Sequence, residues 1–239
     1  MKMEWQDIIR KLKEYKKAIK GLGEKDRSEK GNTLEPSVDL KETKDAYTRI
    51  IEQNIEYAEA YIGRGTVSKN LGDDYQAIRD YNRAIELNPK SAEAYFGRGI
   101  VYQDIGKYYR AIRDYDRAIE ENPKYAEAYN HRGIVFRKLG DYHRAIRDYD
   151  RAIEENPKYI AAYHNRASAY EIIGNYYHAI EDYNKLIEIN PEDKKSYSNR
   201  GLAYEKLGKS EQAISDLKTA ARLGDKVAQH VLKSKRIQW

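Results

Sequence analysis

The sequence contains no cysteine. That excludes a disulfide framework, a thiol nucleophile and a thiolate metal site. Phenylalanine, tryptophan and methionine occur only twice each and proline five times among 239 residues, whereas tyrosine occurs 23 times. A tyrosine buries its ring and keeps its hydroxyl at a wet edge, which suits a thin core close to solvent. No apolar run approaches the ~18 residues of a membrane-spanning helix. No short apolar core followed by small residues marks a secretory signal near the N-terminus. The expected location is the cytoplasm.

Charge is plentiful, at 35% of residues, and the net charge is +5. It is unevenly placed: residues 1–20 carry +4 and residues 226–239 carry +4, leaving −3 between them. The basicity belongs to the ends, which argues against a nucleic-acid groove along the body.

The sequence repeats itself, and such a period sets the whole fold. Pro89, Pro123, Pro157 and Pro191 are 34 residues apart, as are Gly72, Gly106, Gly140, Gly174 and Gly208, and Tyr61, Tyr95, Tyr129, Tyr163 and Tyr197. Five modules follow: 58–91, 92–125, 126–159, 160–193 and 194–227. Numbering each from 1 to 34, positions 1–14 read as one helix and 18–30 as a second. Glycine at 15 suits the left-handed turn just past a helix end. Proline at 32, present in four modules, closes the second helix. Glycine at 8 (Ala167 in the fourth module) costs about 0.5–1 kcal/mol relative to alanine in a helix. Its recurrence predicts that the second helix crosses there at close range.

Tyr/Gly/Tyr/Gly/Ala/Tyr/Ala/Pro at positions 4, 8, 11, 15, 20, 24, 27 and 32 resemble the tetratricopeptide repeat (TPR), over residues 58–227. The resemblance implies an all-α, right-handed superhelical solenoid of antiparallel helix pairs, with first helices lining the concave face. Asp74 and Ser210 depart from it at position 17 of the outermost modules, where a missing neighbour permits weaker packing.

Position 7 is arginine in every module (Arg64, Arg98, Arg132, Arg166, Arg200), where the family often has an apolar residue. Position 23 is aspartate in every module (Asp80, Asp114, Asp148, Asp182, Asp216). A buried charge without a partner is strongly destabilising, so these residues are expected to pair, within or between modules, and to fix the stacking register. The alternative is that the arginines line an anion site.

Residues 1–20 read as an N-terminal amphipathic helix, with Trp5, Ile8, Ile9, Leu12, Tyr15 and Ile19 on one face of 4–20. It serves either as a cap or as a segment for a partner, a second copy or a membrane surface. Residues 21–40 read as a flexible linker rich in glycine and charge. Residues 41–57 align with the second helix of a degenerate module. Residues 228–239 give a capping helix, with Val227, Ala228, Val231 and Leu232 as its apolar side, and a basic tail, Lys233–Trp239, expected to fray.

The second and third modules agree at 26 of 34 positions, and all sixteen positions from 19 to 34 are identical. The differences cluster on the first helix, where positions 5, 9, 12, 13 and 16 share a face with 6 alongside. Solvated drift would produce this; so would a face that meets something non-repetitive. Read along the chain, that face offers an apolar patch of Ile62, Phe96, Ile100 and Ile134. Amide and imidazole groups follow at Asn130, His131, His164, Asn165 and Asn199. Charge at position 12 drifts from basic, as at Arg137, to acidic. Such a groove suits an extended peptide or a partner helix. Asn165, Lys195 and Asn199 partly resemble the two-carboxylate clamp of some family members, but His164 and Ser168 stand where its Lys and Asn are required.

His131 and His164 are at best two ligands of the four a structural zinc site needs. There is no phosphate-cradling glycine loop, nucleophile with a base, or isolated acid pair. The reading assigns no catalytic residue, cofactor or metal. It favours a non-enzymatic adaptor that binds other proteins on the concave face. The alternatives are a nucleic-acid-associated factor using the basic termini, disfavoured by the charge distribution, and a homo-oligomeric scaffold.

Overall fold

A computed structural model describes residues 40–239. The N-terminal segment 1–20 and nearly all of the linker 21–40 lie outside the described residues. Among the described residues every element is an α-helix: α1 (Leu40–Gln53), α2 (Ala58–Asn70), α3 (Asp74–Leu87), α4 (Ala92–Asp104), α5 (Tyr108–Glu121), α6 (Ala126–Lys138), α7 (Tyr142–Glu155), α8 (Ile160–Ile172), α9 (Tyr176–Ile189), α10 (Lys194–Lys206), α11 (Ser210–Arg222) and α12 (Lys226–Ser234). The chain divides into two compact units, one ending at Asn122 and the other beginning at Pro123.

Local chemistry sets the helix ends. Asp73, Asp141 and Asn175 cap second helices by accepting from the backbone N–H of Gln76, Arg144 and His178, satisfying donors that have no partner within the helix. The first helix ends in a left-handed glycine: φ is +81° at Gly72 and +74° at Gly106. Gly72 N donates to Lys69 O and Asp73 N to Ser68 O, closing the turn as a Schellman motif.

Packing runs pairwise and in sequence. In the first unit α2 packs on α3 and α4 on α5; α1 packs on α2, and α3 on α4. In the second unit α6–α7, α8–α9 and α10–α11 are pairs, joined through α7–α8 and α9–α10, with α12 on α11. Consecutive first helices also touch, α2 with α4 and α6 with α8.

The core is thin and made largely of alanine and tyrosine. Ala77, Ala111, Ala145 and Ala179 at position 20 are fully buried, as are Tyr115 and Tyr149 at position 24. The position-24 ring explains two glycines of the first helix. A Cβ added at Gly99 would lie 2.7 Å from Tyr115 Cε1, so position 8 is where the second helix of the same module leans in. A Cβ at Gly97 would lie 2.5 Å from Cε1 of Tyr81, which belongs to the preceding module. Position 6 is thus part of the seam between modules.

At the C-terminus the tail departs from the expectation that it frays. Arg236 takes φ +57°, and Ile237 N donates to Leu232 O at 2.9 Å. The reversal lets Ile237 pack on the cluster of Leu217, Ala220, Ala221, Ala228 and Leu232, an apolar contact that commonly accompanies such a helix end. Lys235 Nζ also reaches Glu205 Oε1 at 2.6 Å. Val227, assigned to the apolar side of this helix, is instead 55% exposed.

Candidate functional site

Each position-7 arginine holds the position-23 aspartate of its own module through two parallel N–H···O bonds. Nε and Nη2 donate to Asp80 at 2.9 and 2.7 Å from Arg64, and to Asp114 at 2.8 and 2.7 Å from Arg98. The distances are 2.9 and 2.7 Å for Arg132 and Asp148, and 3.1 and 2.5 Å for Arg166 and Asp182. Arg200 and Asp216 meet at 2.7 Å through both bonds. The aspartates are nearly dry: Asp80 is 2% exposed.

The third guanidinium nitrogen, Nη1, reaches back to position 25 of the preceding second helix. Arg98 donates to Asn82 Oδ1, Arg166 to Asp150 Oδ1 and Arg200 to Asn184 Oδ1, each at 2.6 Å. Each of these arginines therefore ties two consecutive modules together. Burial alone would lower the Arg166 pKa, but Asp182 and Asp150 outweigh it and hold the guanidinium above its ordinary range. Arg98 also borders an open cleft of about 630 Å³ with Arg110, Arg113 and Arg117. Its fork there is occupied by Asp114 and Asn82, which leaves it little capacity for an external anion.

Positions 5 and 6, expected to display groups for a partner, also serve the seam. Asn130 is buried, at 2% exposure. Its amide oxygen accepts from Asn165 Nδ2 at 2.9 Å, and its Nδ2 donates to Tyr159 Oη at 3.4 Å. It does not line an open groove, because its helix turns position 5 toward the next module. His164 Nε2 lies 3.4 Å from Asp193 Oδ2, and Ser198 Oγ donates to Asp225 Oδ1 at 3.0 Å. Burial would raise the Asp193 carboxyl, but His164, Ser196 and the Lys195 backbone N–H bring it down to about 2. Asn165 and Asn199, components of the partial clamp resemblance, thus face the preceding modules, Asn199 meeting the Tyr183 hydroxyl, while His164, which departs from the clamp, meets Asp193 at the end of its own module. Ile62 packs half-buried on the core that includes Tyr47, Ala60 and Ala94. The Phe96 ring lies tilted 5.9 Å from that of Tyr115.

Positions 9 and 12 are left as the outward part of the first-helix face. Ile100, Ile134 and Arg137 are partly exposed there, as is His131 at position 6. Their inner boundary is the row of position-24 hydroxyls. Thr66 Oγ1 lies 3.0 Å from Tyr81 Oη, Tyr115 Oη donates to Gln103 Oε1 at 3.0 Å, and Tyr183 meets Glu171. In the third module the buried Tyr149 hydroxyl faces the Arg137 guanidinium, which can donate to the phenol oxygen. Burial pushes Tyr149 up to about 12, with the Arg137 charge pulling the other way. Among the described residues no three metal-ligating side chains converge.

The comparisons agree with this architecture. Tetratricopeptide repeat models match residues 92–125 and 126–159, 148–181 and 194–223. A TPR repeat model matches 69–106 and 172–208. Among solved structures, YrrB, described as a TPR protein with an unusual peptide-binding site, is 25% identical with a TM-score of 0.67; the match covers 80% of this chain and 99% of YrrB. Two MamA structures are 31% and 32% identical, with TM-scores of 0.65 and 0.63. They match 72% and 69% of this chain, and 94% and 96% of their own. No curated protein matches at a significant level. With the 34-residue modules, the glycine-closed helix pairs and the sequential packing on the page, these matches make the chain a member of the tetratricopeptide repeat family.

Proposed function

We propose that this chain is a non-enzymatic scaffold that holds an extended segment or helix of another protein on its first-helix face, along positions 9 and 12. One observation carries the reading. The second helices of the second and third modules are identical from position 19 onward, while the face of the first helices changes from module to module. Shared packing accounts for uniformity; it does not account for Ile100 and Ile134 being followed by Ser168 and Leu202. These half-exposed aliphatics offer anchors, and the position-12 side chains offer polar contacts. The family is typically a mediator of protein–protein contacts, and YrrB is a relative described as having a peptide-binding site.

Ile100→Glu and Ile134→Glu test it. Both side chains are partly exposed, so the variants should keep the helical circular dichroism of the parent. Capture of specific partners by the immobilised full chain should fall at least about tenfold, since a charge in an apolar anchor site costs a kcal/mol or more. Unchanged capture by both folded variants would reject the face.

A further inference from the structure

We propose that residues 4–20 dock on α1 as the first helix that the degenerate module lacks, so that this segment is bound within its own chain.

α1 aligns with positions 17–30 of a module, as a second helix. In the complete modules, positions 20 and 23 of the second helix face position 8 of the module's own first helix. A Cβ added at Gly65 would lie 3.3 Å from both Ala77 O and Asp80 Cβ, and one at Gly201 3.1 Å from Ala213 O and 3.3 Å from Asp216 Cβ. Thr43 and Ala46 hold those two positions in α1. Thr43 is buried, at 2% exposure. α1 packs on α2, the helix that follows it. The described residues begin at Leu40, so they hold no helix on the side that the sister modules cover with their own first helix. The cover then comes from residues 1–39.

Ala46 tells what kind of neighbour this is. In every complete module position 23 is an aspartate that answers the arginine at position 7 of its own first helix. An aspartate in α1 would lack that arginine and be stranded, at a strong cost. Alanine removes the demand and presents an apolar surface, so the fitting neighbour brings apolar groups and no cation. Residues 4–20 offer such a neighbour, with Trp5, Ile8, Ile9, Leu12, Tyr15 and Ile19 on one helical face. Residues 21–39 do not: Leu22, Leu34 and Val38 are their only aliphatics, and Pro36 would interrupt a helix there.

The lengths agree. A helix over 4–20 spans about 25 Å and α1 about 21 Å. The connection 21–39 reaches about 60 Å when extended, ample to double back along α1. The docked segment is spent inside the chain, which leaves partners to the first helices of the complete modules.

Because the chain has no cysteine of its own, only introduced thiols can bridge, and disulfide trapping is the test. Ala46→Cys is combined in the full chain with one second substitution at a time. Ile8→Cys, Ile9→Cys, Leu12→Cys and Tyr15→Cys sample the apolar face, Arg10→Cys and Lys17→Cys the opposite face, and Leu34→Cys the connection. At least one apolar-face pair should bridge within a monomer on mild oxidation, and Arg10→Cys and Lys17→Cys at least about tenfold less, since a bridge needs Cα atoms within about 7 Å. Trp239→Phe leaves Trp5 as the single indole. Its emission should shift to the red when Ala46→Lys sets a charge on the α1 face. No bridge from any apolar-face pair, equal bridging from both faces, bridging from Leu34→Cys alone, or bridging only between two copies would overturn the proposal. So would a Trp5 emission that Ala46→Lys leaves unchanged.

Discussion

Tyrosine at position 24 is the side chain on which most of the architecture turns. Its ring fills the space left by glycine at position 8 of its own module, as Tyr115 does against Gly99, and by glycine at position 6 of the next, as Tyr81 does against Gly97. Its buried hydroxyl reaches the first helix of its own module and takes whatever position 9 or 12 provides. Where that is Glu171, burial raises the carboxyl above its ordinary range, while the Tyr183 hydroxyl pulls it down. The folded chain therefore holds that proton to a higher pH than the unfolded chain does. The associated stability is full below the usual glutamate range and is lost as pH rises through the raised value. Glu171→Gln removes the penalty for ionisation and keeps an acceptor for Tyr183. It should raise the melting temperature by about 1–3 °C near pH 7–8 and change it little near pH 4. Thermal melts at both pH values check this; an equal shift at both would mean that ionisation at Glu171 is not the cause.

At the scale of helices, the arginine ladder joins each pair and, through Arg98, Arg166 and Arg200, ties three of the pairs to the pair before. Such buried ion pairs add little net stability relative to apolar replacements, yet breaking one leaves a charge stranded. Asp114→Asn should cost about 3 kcal/mol in denaturant unfolding, whereas Arg98→Met combined with Asp114→Leu should recover most of that loss. A double variant as unstable as the single one would mean that the pair contributes more than its partners' mutual need. The ladder was legible because arginine and aspartate stand sixteen residues apart in all five modules, a pattern that only pairing makes tolerable. Its third contact, to Asn82, Asp150 and Asn184, was not: position 25 is Asn or Asp in four modules but Lys218 in the fifth and Thr48 in the degenerate helix, and a short polar residue on a second helix reads equally as solvated. Asn130 was misread for a related reason. Helical periodicity places position 5 on the variable face, but the tilt between neighbouring modules, which periodicity does not encode, turns it into the seam. The tail was misread as frayed because a basic, polar stretch hides the single Ile237 that pins it.

For the whole molecule, the helices within each unit pack in order along the chain, and alanines, tyrosines and ion pairs hold consecutive modules of a unit together. What those contacts do not consume is the outward part of the first helices, at Ile100, Ile134 and Arg137. The second helices present a contrasting surface, repeated from module to module, with Arg113 and Arg147 exposed. The most direct measurement is site-specific photo-crosslinking in cells, with a photoreactive residue at position 100, 134, 113 or 147 of the full chain. Positions 100 and 134 should yield the same discrete partner adduct and positions 113 and 147 none; adducts from 113 and 147 with none from 100 and 134 would contradict the account.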